Sequence, residues 1–185
     1  RATPPDAITA VLQPIVDKIV DADFMIIDKL SMPPYIIKLI YDCFALLHHM
    51  HLGCKEGGAE SIKGNLWPTS NFRNIRDAQL LRAASIPAKV RAYSEPQQFT
   101  REINEETLEF MEPFLSIRNT SGVPCFNYQR GMMACGNAAH VLDWLQEVHA
   151  LGVLVVRSRR FSERSEAAGA ADVGDSSTAQ HDTKE

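Results

Sequence analysis

The chain has 185 residues, 45% of them hydrophobic and 23% charged, which predicts one domain with a modest core plus tails. Its net charge of −4 and pI near 5.9 exclude a global basic field, and no local patch of cations dominates, so we predict no nucleic-acid partner. Its four cysteines are too sparse for a disulfide framework and no cleavable apolar leader is evident, which predicts a reducing, cytoplasmic environment. Every apolar run is shorter than the roughly 20 residues that cross a bilayer, so we predict no membrane partner.

The first predicted helix covers residues 6–20. Pro14 lies in its middle and is expected to kink or split it. The apolar residues that recur at helical spacing are Ile8, Val11, Leu12, Ile15, Val16 and Ile19.

The second predicted helix, residues 32–50, is strongly apolar. Ser31 can cap it, and Pro33 and Pro34 fall in its first turn, where a missing N–H removes no intrahelical hydrogen bond. Because its polar stripe is narrow, other elements must cover most of its circumference, and we predict that this helix is central. The stripe consists of Lys38, Asp42, Ala45 and His49.

The middle of the chain, residues 52–102, has the weakest pattern. Glycine, proline, serine and scattered charge predict irregular structure there. A clear helix follows, because Asn104 is a good N-cap and Ile103 and Leu108 occupy the two positions of a hydrophobic staple. This helix is expected to end near residues 113–115.

The longest predicted helix covers residues 126–151. Its apolar face consists of Ala134, Ala138, Val141, Trp144, Leu145, Val148 and Leu151. The composition of residues 156–185, rich in Ala, Gly, Ser and Asp, predicts a disordered tail. Four arginines near its start favour a solvated flank, with docking on an acidic surface as the alternative: Arg157, Arg159, Arg160 and Arg164.

A cluster of zinc-type ligands follows the second helix: Cys43, His48, His49, His51 and Cys54. On a helix only His48 and His51 share a face, so four ligands do not converge, and we predict no metal and no cofactor. The histidines are better explained by the C-terminal end of the helix dipole. A zinc-dependent enzyme remains an alternative that requires this array to converge.

Enzymatic motifs are otherwise missing from the sequence. No phosphate-cradling Walker loop and no Gly-x-Ser-x-Gly elbow occurs. Glu105 and Glu106 are adjacent, so they point to different sides of a helix and suit its positive N-terminal dipole rather than paired acid–base catalysis. We therefore predict that the chain is not an enzyme.

Three segments carry short motifs in a defined order across about residues 20–150. A double proline opens a helix that ends in an Asp-Cys pair and two leucines, a later helix starts with Ile-Asn-Glu-Glu, and the last helix carries Cys-Gly-Asn-x-Ala-x-x-Leu-x-Trp. Together they resemble the stalk-tip, microtubule-binding region of dynein heavy chains, most closely the axonemal outer-arm type. The matching residues are Pro33, Pro34, Asp42, Cys43, Leu46, Leu47, Ile103 to Glu106, Cys135, Gly136, Asn137, Ala139, Leu142 and Trp144.

The resemblance implies an all-α fold, a small bundle of short helices at the end of an antiparallel coiled coil that is mostly missing here. Residues 1–20 would be a coiled-coil remnant, residues 21–155 the stalk-tip-like domain and residues 156–185 the tail. The implied function is to bind microtubules as the track-gripping tip of an ATP-driven motor whose ring is not in this chain. Tubulin is the implied partner and other dynein subunits are further candidates, in the cytoskeleton of a ciliary or flagellar axoneme. The alternative is a helical protein-interaction domain that has lost microtubule binding.

The resemblance also implies which residues face the microtubule. Tubulin is acidic, so complementary cations should steer and hold the complex. Lys29 and Arg130 are the cations at the matching positions. At other positions where the family tends to be basic, this chain has Asp28, Met32, Met132, Met133 and Gln146.

Overall fold

The computed structural model describes residues 5–20, 34–47 and 86–174, which form seven α-helices. The helices are α1 Pro5–Val16, α2 Tyr35–Leu47, α3 Ile86–Ser94, α4 Pro96–Glu102, α5 Glu105–Ser116, α6 Tyr128–Ala134 and α7 Gly136–Gly174. In these ranges the only extended pairing is an isolated bridge between Arg118 and Pro124. The predicted all-α fold class is therefore confirmed.

The central helix is α7, which contacts α1, α2, α5 and α6, whereas the sequence predicted that the helix at residues 32–50 would be central. Its fully buried Trp144 packs against Phe44 of α2 and Tyr93 of α3, with ring centroids 5.9 Å apart in each pair. The indole Nε1 of Trp144 donates to Ser94 Oγ at 2.8 Å, and the Ser94 hydroxyl donates to the Val90 carbonyl at 2.7 Å. Three helices thus meet on one aromatic side chain.

The two N-terminal helices are present with ends that differ from the prediction. Pro14 lies inside α1, but α1 continues through it to Val16 and is not split. Helix α2 begins at Tyr35, and the Pro34 carbonyl before it accepts the N–H of Ile37 at 3.0 Å. Ser31, Pro33 and residues 48–50 lie outside the described ranges.

The prediction of irregular structure is wrong for residues 86–102, which form α3 and α4. These helices have nine and seven residues, too few for a helical period to emerge from the sequence. They are separate because Glu95, before α4, has extended backbone angles and Pro96 opens the new helix. Residues 52–85 lie outside the described part of the chain.

Helix α5 begins as predicted. The Asn104 side chain accepts the N–H of Thr107 at 2.9 Å, and Ile103 and Leu108 are both buried. A Cβ atom at Gly152 of α7 would lie 2.8 Å from Ile103 Cγ1 and 2.8 Å from Leu108 Cδ2. The staple pair therefore packs directly onto a glycine, which lets α5 approach α7 closely.

The C-terminal half differs from the prediction in two places. The expected single helix 126–151 breaks at Cys135 into α6 and α7, and α7 then continues to Gly174. The expected disordered tail is thus wrong for residues 156–174, because Ala, Glu and Arg are good helix formers even where no core can form. Residues 175–185 lie outside the described ranges.

Residues Gly136–Ala167 of α7 are long and apolar enough to cross a membrane, judged by length and composition alone. Half of their most apolar 18-residue window is buried against the other helices. The central helix of a globular bundle has the same length and composition, so this property is weak support for a membrane span.

Leu47→Ala should destabilise the fold by about 2 to 5 kcal/mol, because the Leu47 side chain is fully buried and its removal leaves a cavity. Leu154→Ala is the matched control, since Leu154 is 53% exposed and should change stability by less than about 0.5 kcal/mol. Urea denaturation of both variants measures the difference. Equal losses would contradict the placement of α2 in the core.

An ionisable pair joins α5 to α7. His149 Nε2 lies 3.2 Å from Glu112 Oε2, and the His149 side chain is only 17% exposed. Burial lowers the pKa of His149, while the Glu112 carboxylate and a backbone hydrogen bond at Leu108 act in the opposite direction. The neutral imidazole is therefore favoured by the fold.

This pKa shift makes the fold acid-sensitive. Because the folded-state pKa of His149 lies below the unfolded value of about 6.5, its contribution is present above that pH and is lost as the pH falls through the folded pKa. His149→Gln should reduce the loss of stability between pH 7 and 5, and Glu112→Gln should increase it. Denaturation midpoints across this range test both, and equal pH slopes in all three proteins would refute the assignment.

Candidate functional site

The structure describes some of the predicted binding residues. Outside its ranges lie Asp28, Lys29, Met32 and Pro33. The others lie on the two helices around the break at Cys135: Arg130, Met132 and Met133 on α6, and Gln146 on α7.

The exposed side chains of α6 form a small, mixed surface. Asn127 caps the helix, and its side-chain oxygen accepts the N–H groups of Gln129 at 2.9 Å and Arg130 at 3.3 Å. Arg130 is exposed, Met132 is 46% exposed and Met133 is 90% exposed. We refer to Arg130, Met132 and Met133 as the α6 surface, which presents one cation and two flexible apolar side chains.

Two features fix α6 against α7. A Cβ atom at Gly131 would lie 3.0 Å from the backbone Cα of Ala139, so a larger residue would force the two helices apart by a few tenths of an ångström. Cys135 has extended backbone angles, its N–H donates to the Gly131 carbonyl at 2.8 Å, and its carbonyl accepts the N–H of Ala139 at 3.2 Å. The chain therefore turns sharply at Cys135, and α6 folds back onto α7.

The polar residues of the Cys-Gly-Asn…Trp motif serve the fold. Asn137 is 6% exposed, and its side-chain oxygen accepts the N–H of Val20 at 3.2 Å, joining the segment after α1 to α7. Gly136 opens α7 and Trp144 fills the core. The motif thus positions α6 without presenting these side chains to a partner.

Gln146 does not belong to the α6 surface. It is half-buried, and its amide Nε2 donates to the Phe126 carbonyl at 3.4 Å. This contact places Gln146 beside the loop that leads into α6. Sequence reasoning could not foresee this contact, because Phe126 lies 20 residues before Gln146 in the chain.

One cation near this region was missed by sequence reasoning. The pKa of His140 is lowered first by burial and then by the positive charge of Lys18, while Asp143 raises it. Lys18 is exposed and follows α1, so tertiary packing brings it towards the start of α7. Tyr128 of α6 contacts His140, and the Tyr128 hydroxyl lies 3.4 Å from the Nδ1 atom of His140. The sequence around Lys18 contains no motif that would predict its proximity to His140.

Metal ligation finds no support in the described ranges. No group of three or more His, Cys, Asp or Glu side chains comes together there in a way that could hold an ion. Cys43 is buried in the core beside Phe44, whereas His48, His49, His51 and Cys54 lie outside those ranges. Among the described residues the exposed α6 surface remains the candidate site.

Comparisons with known proteins indicate a relationship to dyneins. The chain is 25% identical over 138 residues to dynein axonemal heavy chain 8 of Homo sapiens, covering 66% of this chain and 2% of that protein. It is 25% identical over 125 residues to dynein axonemal heavy chain 5 of Rattus norvegicus, covering 66% and 3%. It is 24% identical over 142 residues to the dynein gamma chain, flagellar outer arm, of Chlamydomonas reinhardtii, covering 77% and 3%. No family model and no solved structure matches.

These similarities support a dynein-related region over about two thirds of the chain. The chain spans only 2–3% of the length of these relatives. The activities of the complete proteins therefore reach this chain only as proposals.

Gly131→Ala should destabilise the protein by about 1 to 3 kcal/mol, because the new methyl group meets the backbone of Ala139. Gly136→Ala is the matched control, since its nearest atoms are in the Met132 side chain at 3.8 Å. That change should stay within about 0.5 kcal/mol. Chemical denaturation distinguishes them, and a neutral Gly131→Ala would show that α6 does not cross α7 this closely.

Proposed function

We propose that this chain is a microtubule-binding module related to the stalk tip of dynein heavy chains. Support comes from the similarity to axonemal dyneins, the all-α bundle and the motif order of the sequence. The observation that carries the proposal is the Cys-Gly-Asn…Trp segment, whose buried residues hold a short exposed helix with Arg130 at its surface. The names of the relatives favour a cytoskeletal location in a ciliary or flagellar axoneme.

Binding to tubulin through this surface should be weak and salt-sensitive. Arg130 is exposed, so it would interact with an acidic partner across solvent, at roughly 0.2 to 1 kcal/mol. That range corresponds to a few-fold change in affinity. Met132 and Met133 add no charge, which leaves the electrostatic attraction small.

A second candidate is a helical interaction domain that no longer binds microtubules. The observation that favours it is the 90% exposure of Met133 beside Met132. Flexible, polarizable methionine side chains suit an apolar partner surface better than an acidic one. The two candidates differ in whether adding a basic side chain to the α6 surface increases binding to microtubules.

Arg130→Glu should lower the fraction of protein that co-sediments with microtubules at low salt, and Met133→Lys should raise it, each by a few-fold in affinity. Arg164→Glu is the matched control, because it makes the same charge change on an exposed residue of α7 away from the α6 surface. Equal effects of Arg130→Glu and Arg164→Glu would indicate a non-specific charge response. No co-sedimentation of the unmodified chain at low salt would favour the second candidate.

We also propose that the chain has no ATPase activity of its own, because its sequence contains no phosphate-cradling loop to hold nucleotide and magnesium. Purified protein with ATP and Mg²⁺ should release phosphate at the rate of a mock preparation. Turnover above that rate, abolished by chelating the magnesium, would overturn the proposal.

A further inference from the structure

The C-terminal part of α7 extends past the core. Val155 is still buried, but every residue from 161 to 167 is exposed. Two arginines connect this extension to the start of α5: Arg159 Nη1 donates to the Ile103 carbonyl at 2.8 Å, and Arg160 pairs with the Glu105 carboxylate. The extension therefore combines accessibility with a defined attachment to the rest of the fold.

A serine within this extension lies in a basic context. Ser162 is exposed, and Arg159 and Arg160 precede it by three and two residues. Phe161, which lies between Arg160 and Ser162, is 71% exposed. Serine kinases that select arginine carry acidic pockets, and a guanidinium group can form paired hydrogen bonds with a carboxylate. The spacing of two arginines before a serine is the pattern that such pockets recognise.

The neighbouring serines lack this context. Ser165 is also exposed, but Ser162 and Glu163 occupy the positions three and two residues before it. Ser158 is only half-exposed. Ser162 is thus the one serine between 157 and 167 that combines exposure with both arginines.

Access to Ser162 requires a local opening of the helix, because a hydroxyl group must reach the bottom of an active site. The Ser162 hydroxyl donates to the Ser158 carbonyl at 3.2 Å, a contact within the same turn. No residue from 161 to 167 is buried, so the extension opens without exposing core surface. For a kinase to read Arg159, the hydrogen bond from Arg159 to the Ile103 carbonyl must also open, whereas the exposed pair of Arg160 and Glu105 contributes little to holding the extension closed.

We propose that Ser162 is a phosphorylation site for an arginine-directed serine kinase. The Ser162 Oγ attacks the γ-phosphorus of ATP held by the kinase, the bond to the β–γ bridging oxygen breaks, and ADP leaves. The hydroxyl proton passes to the catalytic aspartate of the kinase. This inference rests on the α7 extension alone and does not depend on microtubule binding.

A phosphate at Ser162 would change the attachment of α7. It adds a charge near −2 beside Glu163, one turn after Arg159 on the helix. A charge-assisted hydrogen bond to phosphate is stronger than one to a neutral carbonyl, so Arg159 should move from the Ile103 carbonyl to the phosphate. Phosphorylation should therefore loosen the contact between α7 and the start of α5.

The site is tested on the intact chain with a purified arginine-directed serine kinase of the cyclic-AMP-dependent type and labelled ATP. We expect close to one phosphate per chain, located at Ser162 by peptide mass spectrometry. Ser162→Ala should reduce incorporation at least tenfold, and the matched control Ser165→Ala should leave it unchanged. Both changes fall on exposed helix positions and leave the core intact.

Two outcomes would overturn the site: incorporation that survives Ser162→Ala, or labelling of a short peptide of residues 157–167 without labelling of the intact chain. The coupling to α5 is measured by hydrogen exchange at residues 104–108, which should become faster on phosphorylation. In Ser162→Ala, which keeps both arginines, treatment with the kinase and ATP should leave this exchange unchanged. Unchanged exchange in the phosphorylated parent chain would refute the coupling.

Discussion

The burial of Trp144 is the constraint on which the rest of this structure depends. Its ring contacts α2 and α3, and its indole N–H is satisfied only because Ser94 places a hydroxyl group 2.8 Å away. Burying the indole N–H without a hydrogen-bond acceptor would cost folding free energy. The ring can therefore pack in the core only where Ser94 also supplies the acceptor. The positions of α2 and α3 relative to α7 follow from meeting both requirements at once.

The same central helix positions the candidate surface. Because Cys135 leaves the helical conformation, the residues before it turn back and cross α7 at Gly131, where backbone meets backbone. Asn137, two residues before Ala139, accepts a hydrogen bond from the backbone of Val20 in the segment after α1. The α6 surface is therefore held by the core, while its exposed side chains remain free to change without affecting the fold.

Buried and exposed residues are separated in this region of the chain. Residues that match the motif, such as Asn137 and Trp144, are buried and determine the packing. Met132 and Met133, at positions that the resemblance predicts to be basic, are exposed. A relationship at 24–26% identity is consistent with a retained interior and a changed surface. Towards the other end of α7, Arg159 donates a partly buried hydrogen bond to the Ile103 carbonyl just before α5, and Arg160 forms an exposed pair with Glu105.

The sequence by itself determined the helical class and the start of α5, because capping by Asn104 and the staple of Ile103 and Leu108 are local interactions between close neighbours in the chain. It also indicated that Trp144 and Val148 belong to the core, since apolar periodicity reports which side of a helix is covered. Only the tertiary structure decided that the helical pattern breaks at Cys135, because the apolar spacing runs on unchanged across it. The inward roles of Asn137 and Gln146 were likewise decided by packing, since their hydrogen-bond partners, Val20 and Phe126, lie far away in the chain. Whether a polar side chain serves the fold or a partner depends on which distant backbone group it meets, and that is a property of the folded chain.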